Sequence, residues 1–132
     1  MDKHRILVVD DEPDAIEFVK AILSEVAEFE IVEAIDGESG LQKAQEKFPD
    51  LIILDVMMPG IDGFKVFHEL RKNPATREIP ILMLTGVADK IGIKFFKEDM
   101  KEYLGSEPIA YIEKPVNPVS LQKTVRSIFA LV

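Results

Sequence analysis

Asp10 and Asp11, Asp55, Thr85 and Lys114 stand at or just past the ends of four short apolar runs. If those runs are neighbouring strands, three carboxylates, a hydroxyl and an ammonium meet in one crevice. Three carboxylates held this close repel and raise one another's pKa values. A hard divalent cation relieves that, and Mg²⁺ with oxygen ligands and retained waters fits best. Lys114 is a single point charge suited to a phosphate oxygen or to Asp55, and the Thr85 hydroxyl can donate one hydrogen bond to the same oxygen. The chemistry this set suits is phosphoryl transfer onto a carboxylate. Such an acceptor is ionised at neutral pH and needs only to be positioned, while metal and lysine neutralise the charge on the transferring group. The acyl phosphate produced is labile, as a signal that decays must be.

Each piece alone has a plainer reading. An Asp-Asp pair after a strand is more often a turn or helix cap, and a threonine at a strand end or a Lys-Pro pair in a loop is usually structural. What carries the argument is their order, at the ends of separate strands. No serine–histidine arrangement, Gly-rich nucleotide loop or HExxH pattern offers a rival chemistry.

The elements that must position these residues alternate along the chain. Ile6–Val9 is a continuous β-branched run, the pattern of a strand buried on both faces. Pro13 opens a helix in which Ile16, Val19, Leu23 and Val26 fall at helical spacing. Phe29–Ala34 reads as a second strand. After the break at Asp36-Gly37, Leu41, Ala44, Gln45 and Phe48 mark an amphipathic helix stopped by Pro49. Leu51–Leu54 is a third strand, followed by a loop rich in Pro and Gly over 57–63. Phe64, Phe67 and Leu70 begin a third helix, broken near Asn73-Pro74. Ile81–Leu84 and Ile109–Ile112 are the last two strands, with an untidy helical pattern from Val87 to Leu104 between them. Asn117 then caps a helix with Pro118 at its first position, lined inwardly by Leu121, Val125, Ile128, Phe129 and Val132. Strict alternation predicts a parallel sheet covered on both sides by helices, with right-handed crossovers. In such sheets ligands bind beyond the carboxyl ends of the strands, which is where the five residues fall.

Composition narrows the function classes. At 132 residues the chain suits one domain. With no cysteine there is no disulfide framework, thiolate zinc site or thiol nucleophile, as in a reducing cytoplasm. No apolar stretch approaches a membrane span, and no secretory leader opens the chain. A net charge of −8 argues against direct contact with nucleic acid or an anionic membrane. His4, in the leader, and His68, in the third helix, read as solvated surface residues.

Ile6–Glu12, Asp50–Gly63, Thr85-Gly86 and Tyr111–Pro115 resemble the receiver domain of bacterial response regulators, and the match spans nearly the whole chain. The resemblance implies a flavodoxin-like, doubly wound α/β fold with five parallel strands in the order 2-1-3-4-5, forming one domain over 1–132. It implies Asp55 as phosphoacceptor in a two-component pathway. Asp11, Asp55 and the Met57 carbonyl would bind Mg²⁺ directly and Asp10 through water. Lys114 and Thr85 would hold the phosphoryl oxygens, with a cis Lys114–Pro115 peptide. The donor would be a histidine kinase or a histidine phosphotransfer protein, the setting cytoplasmic. Phosphorylation, worth roughly −2 charge, would draw in the Thr85 hydroxyl and let Tyr111 rotate into the space left, biasing an existing equilibrium. The alternative for Tyr111 is a half-buried strand aromatic with its hydroxyl in water. The state expected is a monomer or a phosphorylation-dependent dimer, switching a docking surface for a downstream protein.

Two departures from the family pattern stand out. Thr85 to Lys114 is several residues longer than usual, and Phe96, Met100 and Tyr103 recur there at helical spacing. Packing onto the sheet is preferred for them over a partner-docking surface. Met57 and Val87 are apolar where the family tunes hydrolysis, which predicts slow self-dephosphorylation. Ending at its last helix, the chain reads as a stand-alone receiver, the alternative being the receiver portion of a larger transcription factor or sensor kinase. An aspartate-nucleophile phosphatase is a third possibility, but Met57 stands where its general-acid carboxylate belongs.

Overall fold

A computed structural model describes residues 3–56, 63–86 and 108–130. Its elements are β1 (His4–Val9), α1 (Pro13–Ser24), β2 (Phe29–Ala34), α2 (Gly37–Lys47), β3 (Leu51–Asp55), α3 (Gly63–Lys72), β4 (Ile81–Thr85), β5 (Ala110–Glu113) and α4 (Pro118–Ile128). Among the described residues the strands form one parallel sheet in the order β2-β1-β3-β4-β5. This is the doubly wound α/β arrangement the alternation predicts. Met57, Val87, Phe96, Met100, Tyr103 and Val132 lie outside the described residues.

The continuous apolar runs are explained by burial on both faces. Ile6, Val8, Leu51, Ile53, Leu82 and Leu84 point to one side and pack with Ile16, Val19 and Leu23 of α1 and Leu121 and Val125 of α4. Their alternates Leu7, Val9, Ile52, Leu54, Ile81 and Met83 point to the other, against Ala44 of α2 and Val66, Phe67 and Leu70 of α3. A strand with no solvent face has no polar alternation to show.

The helix ends follow the turn chemistry. Asp36 and Asn117 each accept a hydrogen bond from the amide three residues on, Ser39 and Ser120, at the N-caps of α2 and α4. Three predicted details are corrected. Phe48 does not continue the inner face of α2. It is the C-cap, in the left-handed region at φ 50°, and is 72% exposed, because Pro49 bars another helical turn and the chain reverses there. β5 runs one residue later than read, leaving Ile109 exposed. His4 is no leader residue. It opens β1, half-buried, with its ring stacked on Phe129 at 4.2 Å and edge-on to Phe29. His68 is also half-buried, on α3.

Candidate functional site

Register places the chemistry. Val9 pairs with Leu54, Asp55 with Leu84, and Thr85 with Glu113. The residues that follow or close these strands therefore share the carboxyl edge of the sheet. Backbone bonds across the edge fix them further. The Asp10 amide donates to the Ala34 carbonyl, the Val56 amide to Leu84 at 3.0 Å, and the Lys114 amide to Thr85 at 2.6 Å.

Asp10, Asp11 and Asp55 can each present a carboxylate oxygen within 4.8 Å of the other two. Asp10 and Asp55 are buried, at 1% and 4% exposure, and Asp11 is half-buried. Lys114 Nζ lies 2.9 Å from Asp55 Oδ1 and 3.7 Å from Asp10 Oδ2. Thr85 is buried at the end of β4. The Lys114–Pro115 peptide bond is cis. The ring of Tyr111 packs on the core face covered by α2 and α3, and its hydroxyl oxygen is buried, so the alternative with that hydroxyl in water is corrected.

The two side-chain oxygens of Asp10 differ in their surroundings. Asp10 Oδ1 accepts the Glu12 amide at 3.0 Å, a local turn that leads into α1. Asp10 Oδ2 is buried with no hydrogen-bond partner among the described residues. An orphaned buried carboxylate oxygen is costly and calls for a charged or polar occupant beside it.

The electrostatics agree. Burial pushes Asp10 up to about 6, with the Asp55 and Asp11 charges adding to it and the Glu12 amide and Lys114 opposing. Burial draws Lys114 down, but its hydrogen bond to Asp55 and the charges of Asp55, Asp10 and Glu12 outweigh that, leaving it above its ordinary value. One ammonium thus faces several carboxylates, an acid excess that a divalent cation would complete. The donor set is all oxygen and suits Mg²⁺. Of the four metal ligands expected from the sequence, three gather here and Met57 lies outside the described residues.

Beside Asp10 and Lys114 opens a groove of about 390 Å³, floored by Ala15, Val19 and Val116 and flanked by Phe18, which is 48% exposed. Sequence reasoning passed over Phe18, although its place off the Ile16, Val19, Leu23 stripe marks it as an outward aromatic. It also read Gly63 only as part of a loop, whereas the residue is buried against the backbone that carries Asp55.

Comparison with known proteins completes the picture. The family model described as response regulator receiver domain matches residues 6–126. The response regulator PleD of Caulobacter vibrioides is 37% identical over 94% of this chain and 26% of its own length. The probable transcriptional regulator ycf27 of Cyanophora paradoxa is 39% identical over 97% of this chain and 49% of its own. The chain thus spans about half the length, or less, of these curated relatives. Among solved structures, the chemotaxis protein CheY4 of Vibrio cholerae superposes with a TM-score of 0.79 at 32% identity, covering 96% of this chain and 98% of that one. The signal receiver domain of a signal transduction histidine kinase from Syntrophus aciditrophicus gives 0.82 at 28%, covering 96% and 90%.

Proposed function

The chain belongs to the response regulator receiver domain family, and from that premise we propose that it accepts a phosphoryl group on Asp55 and signals by altering a protein-docking surface. The observation that carries this is the placement of Asp55 Oδ1 at 2.9 Å from Lys114 Nζ, beside the buried Oδ2 of Asp10, which accepts no hydrogen bond among the described residues.

Asp10, Asp11 and Asp55 would hold Mg²⁺, with the Met57 carbonyl as a further ligand. When bound, the cation supplies neutralisation of the charge on the transferring phosphoryl group. Asp55 is the nucleophile. The phosphorus–nitrogen bond of a donor histidine breaks as a phosphorus–oxygen bond to the Asp55 carboxylate forms, and the departing imidazole keeps the electron pair and takes up a proton. Lys114 leaves its contact with the bare carboxylate for an oxygen of the new phosphoryl group. The Thr85 hydroxyl donates to another, and Tyr111 follows it inward, so that added charge becomes a change of surface. The groove beside Phe18 and Lys114 offers a protein donor, a histidine kinase or phosphotransfer protein, an apolar seat next to the acceptor. The chain's own chemistry is confined to gain and loss of this one phosphoryl group, and no separate substrate is turned over.

The stand-alone and longer-regulator readings each have a counterpart: the chain covers 98% of the CheY4 chain but 49% and 26% of the two curated relatives. Neighbouring coding sequence decides between them. The test of the main reading is intact mass after incubation with acetyl phosphate, with and without Mg²⁺, for the parent and Asp55→Asn. A metal-dependent gain of one phosphoryl, lost in the variant, is expected. No gain in a parent that binds Mg²⁺ would leave a docking module without phosphoacceptor chemistry.

A further inference from the structure

Asp55 sits on a peptide that is held from two sides. On the sheet side the Val56 amide donates to the Leu84 carbonyl of β4 at 3.0 Å. On the other side stands Gly63, the first residue of α3, whose amide donates to the Val56 carbonyl at 2.7 Å. Gly63 has no room for a side chain. A methyl there would fall on the Asp55 carbonyl oxygen, 2.6 Å from Val56 Cα and 3.0 Å from the Val56 carbonyl oxygen. These are backbone atoms of a strand end and cannot swing aside as the tip of a long side chain can. Carbon atoms need roughly 3.5 Å or more, so a methyl would push the Asp55–Val56 peptide or the start of α3 by about 1 Å. The requirement is one of space, since the glycine has no left-handed backbone to explain it.

We infer that Gly63 is a positioning residue for Asp55. By letting α3 close directly onto the Asp55–Val56 peptide, it sets the reach of the carboxylate to Lys114 and to the cation. The inference rests on the proposed phosphoacceptor reading for its consequence in activity, but its geometric content stands apart from it. Positioning groups outside the reacting set matter on this scale: an outer-shell change weakens metal binding by about tenfold or more, and about 1 Å of misplacement costs up to about a hundredfold in rate.

The experiment compares Gly63→Ala with Gly40→Ala. Gly40 also lacks room for a methyl, but what it would meet is the Val9 side chain at 2.9 Å, not backbone. Three quantities are read on the full chain: Mg²⁺ affinity by calorimetry, phosphoryl uptake from acetyl phosphate, and the ammonium NMR signal of Lys114 in metal-free protein, whose exchange is slowed by the Asp55 contact. Expected for Gly63→Ala are Mg²⁺ binding weaker by about tenfold, uptake slower by up to about a hundredfold, and loss of the ammonium signal. Gly40→Ala should lose comparable stability and keep all three. A folded Gly63→Ala with the parent's ammonium signal and Mg²⁺ affinity overturns the inference, as does equal loss in both variants. Should Gly63→Ala fail to fold, the Gly63 amide of the parent decides. Protection from hydrogen exchange and a resonance that moves with Val56 on adding Mg²⁺ support the inference, and an unprotected, unmoved amide overturns it. A parent that takes up no phosphoryl defeats the proposed function, and the ammonium signal still judges Gly63.

Discussion

Lys114 Nζ lies 2.9 Å from Asp55 Oδ1 and reaches Asp10 Oδ2 at 3.7 Å, so a single ammonium serves two buried carboxylates. Its removal would take this counter-charge from both. Lys114→Met should therefore destabilise the metal-free protein, by about 1–2 kcal/mol given the partial exposure of the lysine. Urea unfolding with and without Mg²⁺ checks this. The deficit should shrink when Mg²⁺ is added, because the cation takes over part of the lysine's electrostatic task.

Asp10 gives the opposite sign. Its folded value of about 6 stands above the ordinary 3.8. A raised carboxyl adds stability that is complete below pH 3.8 and is lost as pH rises through about 6. The difference, 6 − 3.8 = 2.2, corresponds to about 3 kcal/mol at neutral pH. Asp10→Asn keeps an oxygen for the Glu12 amide and removes the buried charge. Metal-free Asp10→Asn should be more stable than the parent by up to about 3 kcal/mol at pH 7.5, and the gap should close by pH 4. Urea midpoints at the two pH values test it, and a parent that matches the variant at pH 7.5 would refute the argument.

Mg²⁺ binding should report the same carboxyl from the other side. Metal ligands must be deprotonated, so affinity should hold above pH 7 and fall as pH drops through about 6. Calorimetric titration at pH 7.5 and 5.5 would show it. Asp10→Asn should bind Mg²⁺ weakly at both, with little pH dependence from this position.

The loop that carries Lys114 ends three residues later, where the Asn117 side chain accepts the Ser120 amide at the start of α4. Asn117→Ala should cost about 1 kcal/mol of stability, measured by thermal unfolding. Because the backbone bond from the Lys114 amide to the Thr85 carbonyl remains, Mg²⁺ affinity should change by less than about threefold, well inside the tenfold expected of an outer-shell group.

How much of this could be read beforehand depends on the kind of physical constraint. The strand runs were legible because burial on two faces leaves no polar residue in Leu51–Leu54 or Ile81–Leu84. The site then followed from a rule about where parallel sheets bind ligands, which gathered Asp10, Asp55 and Lys114 from far-apart positions. Proximity between elements was not legible. Gly63 looked like any glycine in a Pro- and Gly-rich loop, because the backbone it nearly touches, at Asp55 and Val56, becomes a neighbour only after α3 docks. Phe48 carries the right spacing for an inner face but sits where Pro49 reverses the chain. His4 precedes the apolar run of β1, and its stacking partner Phe129 is at the far end of the sequence.

That last contact has a mechanical meaning. β1 has the acid cluster at one end and His4 at the other, while α4 starts four residues past Asp10's ammonium partner, Lys114, and finishes on the ring that covers His4. Strand and helix are thus pinned to each other at both extremities, like two rails joined by a rung at top and bottom. Between the rungs, Gln122 of α4 fastens sideways to the Ile22 carbonyl of α1 and to the carboxylate of Glu25, its C-cap. Such a frame resists shear: α4 cannot tilt against the sheet without either unstacking Phe129 from His4 or pulling Lys114 off its carboxylates.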